Sequence, residues 1–450
     1  MDRRRFLALT AAAAACTEGT DSGLDSGLDS GGDSADPIGS PERAAEPSEW
    51  EPEGTLDADA FAWGIQTGDA TTDSVQVSIR SNEGTLRVVL VVADEDGWTR
   101  DREEEHPCEH RANFALDGLR PDTAYRLVAY GSAGRSAVAR FRTALAEDQD
   151  RKLIFGVTSC IGRPNAPWPN LAFVPGEELD FFGLLGDTVY ADDARTLEEY
   201  RGFYDEAYST EGLNLAALST SMVATWDDHE VTNNWDSEDV AESRVADAKA
   251  AFLEACPQVR GPDGVMWRSL RWGTVVEIFV LDSRGERDAS VGQYLSDAQK
   301  AWLVEGVTNS PAAFKLVFNS VPISDLSDLL GDAQAADRWS GFPTQRAEVL
   351  TALDDVPGVI WLTGDLHFAA LTWTGKQGDP GAGQPEVLCG PSGSNRNPLA
   401  ALYTGDTTQF PILLSEWNWV RFEADAALGT LRVQFIGDDA SVLAESTLVL

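Results

Sequence analysis

Residues that could bind metal ions directly follow five apolar runs of this sequence. Cysteine, aspartate, tyrosine and histidine occur in these segments, which are residues 159–160, 186–190, 227–230, 282–284 and 364–367. The apolar runs predict buried strands, and in layered α/β folds the carboxyl ends of neighbouring strands meet at one edge of the sheet. A single aspartate after a strand usually caps a helix. Five such segments in succession predict a shared site.

The residue types in these segments favour metal ions. Carboxylates and a phenolate are hard oxygen ligands, whereas a thiolate and an imidazole bind transition ions. A site with thiolate, phenolate and carboxylate carries several negative charges and favours a highly charged ion such as ferric iron. A neighbouring carboxylate site suits calcium or another divalent ion, and Asp187 could bridge the two. Paired ions stabilise the oxygens of a phosphoryl displacement and lower the pKa of a bound water.

Alternating strand and helix patterns place these segments in one α/β domain, residues 150–450. The predicted strands are residues 153–157, 181–185, 222–226, 275–281, 316–318 and 359–362. Helical spacing is found in residues 197–208, 240–255, 296–307 and 345–353. Ser296 and Gln299 predict a capping box at the start of the third helix. Strands buried between layers of helices follow from this alternation.

The preceding residues, 51–146, are predicted to form a separate β-sandwich. Residues 75–80 alternate apolar and polar side chains, and residues 86–92 form another strand pattern. Tyr125 follows a turn in a way that resembles the tyrosine corner of immunoglobulin and fibronectin type III domains.

Composition limits the partners of this chain. Its 450 residues include 74 acidic and 34 basic side chains, which gives a formal charge of -40. Such a charge repels polynucleotides and anionic lipid surfaces, so neither nucleic-acid binding nor electrostatic membrane binding is expected. The five cysteines show no CxxC spacing, and the sequence leaves open whether Cys256 and Cys389 pair.

The first residues predict export. Residues 1–16 combine consecutive arginines, Phe-Leu and an apolar stretch that ends at Cys16, which is typical of a twin-arginine signal with a lipoprotein-type cleavage box. Residues 17–50 are acidic and repetitive and predict a disordered tether. We therefore expect a membrane-anchored lipoprotein or a secreted or periplasmic protein, with membrane contact only through a lipid at Cys16.

Taken together, the motifs resemble the PhoD branch of the calcineurin-like metallophosphoesterases. The most specific are Gly186-Asp187-Thr188-Val189-Tyr190 and Trp226-Asp227-Asp228-His229-Glu230, which occur in this order. Residues 61–69 resemble the start of that family's immunoglobulin-like domain. The similarity covers nearly all of the chain after the tether.

This resemblance implies a four-layer αββα domain, preceded by the β-sandwich, that holds ferric iron and calcium, although other divalent ions could replace them. The implied ligands of the iron are Cys160, Asp187, Tyr190 and His367. The implied ligands of the calcium are Asp187, Asp228 and Asp365, with Asp227 as the alternative to Asp228.

It also implies roles for three neighbouring residues. His229 would contact the phosphate and assist the leaving oxygen, and Glu230 could orient His229. Arg284 would pair with the phosphate, with a structural salt bridge as the alternative. The sequence departs from the family pattern after Arg284, where Gly285-Glu286-Arg287 replaces the usual Tyr-Arg or similar pair.

The function predicted from these observations is an exported alkaline phosphatase or phosphodiesterase that hydrolyses phosphate esters with metal-activated water, and we expect a monomer. One alternative is a phosphodiesterase of the phospholipase D type that acts on lipid headgroups. Another is a non-enzymatic surface lipoprotein, although a purely structural metal site does not need His229.

Overall fold

The computed structural model describes residues 39–236, 240–331, 335–405 and 407–450. The predicted export signal, with Cys16, and residues 17–38 of the predicted tether lie outside the described residues. Among the residues that are described, no helix combines the length and the apolar character needed to cross a bilayer.

Strands dominate the two ends of the described chain, and helices are concentrated in its middle. The first elements are β1 (Ile65–Gly68), β2 (Ser74–Ser81), β3 (Thr85–Asp94), β4 (Gly97–Pro107), β5 (His110–Asp117), β6 (Ala124–Tyr130) and β7 (Ala139–Arg142). The middle elements are β8 (Leu153–Thr158), β9 (Phe181–Leu185), α1 (Leu197–Ser209), α2 (Glu211–Ser219), β10 (Ser221–Thr225), α3 (Glu242–Ala255), β11 (Arg268–Trp272), β12 (Val276–Val280), α4 (Asp297–Asn309), β13 (Phe314–Phe318), α5 (Ser327–Leu330), α6 (Pro343–Leu353) and β14 (Val359–Thr363). The last elements are β15 (Ala369–Trp373), β16 (Pro385–Leu388), α7 (Leu399–Leu402), β17 (Ile412–Leu414), β18 (Trp419–Asp425), β19 (Thr430–Ile436) and β20 (Val442–Val449).

Two large sheets pack together in the centre of the fold. The described strands form a nine-stranded sheet in the order β20-β19-β18-β8-β9-β10-β1-β2-β5 and a seven-stranded sheet in the order β11-β12-β13-β14-β16-β15-β17. Side chains of both sheets, among them Phe155, Phe181, Ile278 and Phe318, share one hydrophobic core. Removing this apolar surface from water holds the sheets together.

Helices cover the outer faces of both sheets. Tyr200 and Tyr204 of α1 and Phe252 of α3 belong to the same core as Phe182 of β9. On the other side, α4 and α6 share a core with β12, β13 and β14. The order of layers is therefore helix, sheet, sheet, helix.

The N-terminal strands divide between two sheets and do not stand apart from the rest of the fold. β4, β3, β6 and β7 form a four-stranded sheet, whereas β1, β2 and β5 extend the nine-stranded sheet, where Gly68 of β1 pairs in parallel with Met222 of β10. The hydroxyl of Tyr125 accepts a hydrogen bond from the backbone N–H of Arg120 at 2.8 Å, which is the geometry of a tyrosine corner. One continuous sheet thus spans the boundary that the sequence predicts near residue 150.

Residues 39–50 correct the end of the predicted tether, because they are bound to the surface. The backbone N–H of Ser40 donates to Asp425 Oδ1 at 2.9 Å. Further along, Glu46 accepts a hydrogen bond from Arg126 Nη2 at 2.5 Å. Ion pairs and backbone hydrogen bonds thus fix a segment whose acidic composition alone predicts disorder.

The predicted elements of the α/β part differ little from the observed ones. β9 has the predicted bounds, and α1 extends one residue beyond its prediction. Ser296 caps α4 by accepting a hydrogen bond from the N–H of Gln299 at 3.1 Å. The Gln299 side chain instead donates to the carbonyl of Asp282 at 3.1 Å, so only half of the predicted capping box forms.

The structure also answers the question about cysteine pairing. Within the described residues, Cys108, Cys160, Cys256 and Cys389 are all buried and free. The hydroxyl of Tyr208 lies 3.4 Å from Cys256 Sγ, so this thiol has a local polar contact in place of a disulfide.

Candidate metal centre

The predicted site residues lie just beyond the carboxyl ends of five strands of the two central sheets. Cys160 follows β8, Asp187 follows β9 and Asp228 follows β10. In the facing sheet, Arg284 follows β12 and Asp365 follows β14. Because β8, β9 and β10 are parallel neighbours, and β12, β13 and β14 likewise, these ends meet at one edge.

The backbone at this edge adopts conformations that are uncommon for residues other than glycine. Cys160, Asp187, Asp365 and His367 have φ angles of 56°, 53°, 67° and 57°. Each such residue costs on the order of 1 kcal/mol or more, and such residues cluster at functional sites. The surrounding sheets therefore hold these four side chains in positions that the local chain does not favour.

The first group of donors consists of Cys160, Asp187 and His367, whose ligand atoms lie within 4.8 Å of one another. The Tyr190 hydroxyl donates to Asp187 Oδ2 at 3.2 Å and lies 3.0 Å from His367 Nε2. Ser159 supports the group by donating its hydroxyl to Cys160 Sγ at 3.2 Å. The four residues that the sequence predicts for the iron side are thus brought together.

Two further donor groups continue from the first. Asp187, Asp228 and His229 form one, and Asp227, Asp228 and Asp365 form the other, each with ligand atoms within 4.8 Å of one another. Asp187 links the first group to the second, and Asp228 links the second to the third. Asp228 therefore has the more central position, while Asp227 belongs only to the third group.

Several of these donor groups have raised pKa values, and a bound cation would favour their ionised forms. Burial first, and neighbouring carboxylates second, raise the pKa of Asp187 and of Asp365 well above the usual range. Burial and then the charge of Asp187 raise the pKa of the Cys160 thiol in the same way. Oδ2 of Asp227 is buried and accepts no hydrogen bond from the described residues. An opposite charge favours the ionised form of each group, so the donor set fits bound metal ions.

His229 is held by an aspartate that the sequence analysis missed. Nδ1 of His229 lies 2.9 Å from both carboxylate oxygens of Asp192. Burial opposes protonation of His229, but the bond to Asp192 and the charge of Asp228 outweigh it and raise the pKa. Asp192 lies two residues after Tyr190, and its spacing alone does not distinguish it from a surface acid.

Glu230 has a different role from the one the sequence suggests. Its side chain is fully buried and accepts hydrogen bonds from the backbone N–H groups of Asp187 at 3.0 Å, Thr188 at 2.7 Å and Asp227 at 2.9 Å. Burial raises the pKa of Glu230 to about 7, against the effect of these donors. Glu230 therefore fixes the two turns that carry Asp187 and Asp227, while Asp192 orients His229.

Arg284 occupies a buried ion-pair network, which favours the structural alternative for this residue over a free phosphate-binding guanidinium. Its Nε donates to Asp227 Oδ1 at 2.6 Å, and its two terminal nitrogens bond both carboxylate oxygens of Asp337, at 2.5 and 3.1 Å. The side chain has no exposed surface. Asp337 was not identified from the sequence, because it lies in a short 3-10 turn with no motif around it.

Comparison with solved structures defines the class of fold. A solved structure of PhoD shares 20% identity with this chain at a TM-score of 0.75, covering 88% of this chain and 90% of the other. The purple acid phosphatase PPD1 from yellow lupin (Lupinus luteus) seeds shares 12% identity and a TM-score of 0.63, covering 85% and 73%. At these identities the matches establish a metallophosphoesterase-like fold.

The sequence comparison then gives the family. A family model described as PhoD-like phosphatase matches residues 155–434, so this chain belongs to the PhoD-like phosphatase family. Alkaline phosphatase D of Bacillus subtilis (strain 168) is 24% identical to this chain in a match that covers 68% of it. The match spans 64% of the length of that relative.

Proposed function

We propose that this protein is a metal-dependent phosphoric ester hydrolase of the alkaline phosphatase D type. The observation that carries the proposal is the series of donor groups linked through Asp187 and Asp228, with His229 beside them and held by Asp192. Membership of the PhoD-like phosphatase family and the similarity to alkaline phosphatase D support it.

In this proposal, the group that contains the thiol and the phenol would hold ferric iron. Cys160, Asp187 and Tyr190 together offer three donors that become anionic when ionised, and His367 adds a neutral nitrogen. That combination balances a trivalent ion better than a divalent one.

The carboxylate-rich side would hold calcium or another hard divalent ion. Asp187, Asp228 and Asp365 supply oxygen donors, which such ions prefer. Asp227 adds a fourth carboxylate, because its buried Oδ2 is otherwise unsatisfied by the described residues.

Bound ions would lower the pKa of a water molecule that they bind. Their positive charge would also stabilise the phosphoryl oxygens. The protein's own contribution begins with His229: Asp192 engages Nδ1, which leaves Nε2 as the nitrogen that gives a proton to the leaving oxygen. Arg284 positions Asp227 and lies 4.0 Å from Asp228 Oδ2, so it maintains the spacing of the carboxylates.

We further propose that the protein works outside the cytoplasm as a monomer. A twin-arginine signal fits this proposal, because that route exports folded proteins with their cofactors already bound. Cys16 would carry a lipid that anchors the chain. A formal charge of -40 makes small phosphate esters better candidate substrates than polynucleotides.

The test combines elemental analysis, a visible spectrum and hydrolysis of p-nitrophenyl phosphate and bis-p-nitrophenyl phosphate. We expect about one iron per chain, a broad visible absorption band and calcium-dependent turnover. Asp187→Ala should lose metal and turnover together. Asp297→Ala, which changes an aspartate whose side chain is 94% exposed, should retain both. Metal-free wild-type protein that stays inactive after loading with iron and calcium would overturn the proposal.

A further inference from the structure

A cleft of about 430 Å³ opens beside the metal centre. Tyr190, His367 and Asp192 line the end next to the donor groups, here called the inner end, and Pro164 and Phe203 belong to the rest of the wall, here called the outer wall. The cleft is therefore continuous with the donor group that contains Tyr190 and His367.

The inner end of this cleft adjoins His229. Asp192, which lines the cleft, bonds Nδ1 of His229 at 2.9 Å. The ring of Tyr190, another lining residue, lies 4.2 Å from the His229 ring between centroids. Because Tyr190 and His367 line the cleft and also belong to the first donor group, an ester whose phosphate lies at the donor groups can place its alcohol part in the cleft.

Part of the outer wall of the cleft is apolar. Phe203 is half-buried on α1, where it packs against the core and also faces the cleft with Pro164. A second cavity of about 50 Å³ is also lined by Phe203, together with Trp168 and Val189. A flat apolar group placed against Phe203 would therefore be removed from water on more than one side.

The charges around the cleft disfavour an anionic group. Arg163 at the outer wall is already ion-paired with Glu206. Asp193 lines the same cleft and is exposed. A carboxylate or second phosphate on the alcohol part would be repelled by Asp193. It would gain little attraction from Arg163, because Glu206 already pairs with this arginine.

We propose that this cleft is the leaving-group subsite of the enzyme and that it selects phosphate esters of flat, apolar, uncharged alcohols, with Phe203 as the residue that determines this specificity. The proposal rests on the hydrolase function proposed above. It attributes the selection of the leaving group to Phe203 and the wall around it. The subsite can therefore be disproved by an experiment that leaves the hydrolase function intact.

The main experiment compares two esters whose alcohols have similar acidity, 2-phenylethyl phosphate and ethyl phosphate. Phe203→Ala should lower kcat/KM for 2-phenylethyl phosphate about tenfold, which is the usual scale for lost apolar contact in a pocket. The value for ethyl phosphate should stay within about twofold, because an ethyl group offers little apolar surface for Phe203 to cover. Phe203→Leu, which keeps an apolar side chain in the core, should give a smaller loss with the same selectivity.

Phe173→Ala is the matched control, because Phe173 is 42% exposed and is not a lining residue of the cleft. It should leave both esters unchanged. An equal loss for both esters in Phe203→Ala and Phe203→Leu would indicate a structural role and overturn the subsite. Wild-type protein that hydrolyses p-nitrophenyl phosphate but does not distinguish the two esters would overturn the subsite alone. Failure on all three esters after metal loading would overturn the hydrolase function as well.

The charge of the cleft is tested with phenyl phosphate and 4-carboxyphenyl phosphate. Wild-type protein should prefer phenyl phosphate, and Asp193→Asn should raise relative kcat/KM for the carboxylated ester about threefold at low salt. This gain should shrink as salt screens the charge. An unchanged ratio in Asp193→Asn would show that the cleft does not select against anionic leaving groups.

Discussion

The metal centre and a second charged cluster, which joins β2 and β5 to α1 and α3, contain similar carboxylates but balance them differently. In the second cluster, here called the clamp, Asp205 pairs with Arg80 and Arg111, each at 3.0 Å. Glu254 pairs with Arg111 at 3.3 Å and with Arg201 at 2.7 Å. Each of these two acids thus has two guanidinium partners from neighbouring elements.

Among the described residues of the metal centre, Asp187, Asp227, Asp228 and Asp365 lie close together, and Arg284 is the arginine that bonds one of them. Asp227 bonds Arg284, and Asp228 lies 4.0 Å from the same guanidinium. Asp187 and Asp365 instead face other acids, whose charges add to the effect of burial and raise their pKa. The clamp is balanced by arginines of the chain itself, whereas the centre has buried carboxylates whose charge a bound cation would balance. Unpaired buried carboxylates therefore distinguish a candidate metal site from a cluster of acids that only forms ion pairs.

Removal of metal gives the largest effect expected from this contrast. A ligand that binds only the folded state at about a thousand times its dissociation constant stabilises that state by about 4 kcal/mol. Chelation should therefore abolish hydrolysis and lower the thermal unfolding midpoint. Asp205→Asn in the clamp should change the midpoint but preserve the difference between metal-loaded and chelated protein. Equal midpoints before and after chelation of wild-type protein would contradict the inference that a bound cation stabilises the metal centre.

Arg284→Met should give the next largest effect. It leaves Asp227 buried without its cation and removes one of the two arginines that pair with Asp337, and breaking a buried pair in this way costs about 3–5 kcal/mol. Urea unfolding of chelated protein measures this loss. Added metal should recover part of it, because an ion near Asp227 replaces the missing charge.

Arg111→Met in the clamp is the matched comparison. Its partners Asp205 and Glu254 are 31% and 27% exposed, so water compensates for much of the loss, and about 1 kcal/mol is expected. Metal should not recover stability in this variant. Equal recovery in both variants would mean that metal acts on the fold in general.

Asp192→Asn should act on turnover more than on stability. Asparagine can keep one hydrogen bond to Nδ1 of His229, but it lacks the charge of Asp192. Removing a partner that orients a functional group commonly costs 10–100-fold, so we expect kcat to fall by about that factor. KM and metal content should stay close to wild type, and Asp297→Asn should change none of the three. If the variant also lost metal, Asp192 would be needed for the structure of the metal site, and its proposed role in orienting His229 would be contradicted.

The positions of the candidate ligands could be predicted from the sequence because each one follows a strand. Strands such as β9 and β14 have recognisable apolar runs, and parallel pairing forces residues beyond their carboxyl ends, such as Asp187 and Asp365, to converge. Asp192 and Asp337 lie in loop or 3-10 segments, where no periodicity marks them. Their roles follow from contacts with His229 and Arg284 that are distant in sequence.

The parts of the fold that could not be predicted likewise depend on contacts between residues that are distant in the sequence. Local patterns identify β2 and β3, but they do not show that β1 and β2 extend the nine-stranded sheet, because this depends on one pairing between Gly68 and Met222, far apart in the chain. The surface-bound residues 39–50 are another case. Their acidic side chains predict a disordered tether until the arginines that face them, such as Arg126, are known.

Ser394→Ala should give the smallest effect and would sharpen the assignment of the first donor group. The hydroxyl of Ser394 donates to the hydroxyl oxygen of Tyr190, which also contacts Asp187 and His367. Loss of a donor makes the phenolate more electron-rich, so the visible absorption band of metal-loaded protein should shift, while kcat changes by only about twofold. Ser209→Ala, at the exposed end of α1, should leave the spectrum unchanged. An unshifted band in Ser394→Ala at full metal content would indicate that the chromophore does not include Tyr190, and the thiolate of Cys160 would then be the ligand to change next.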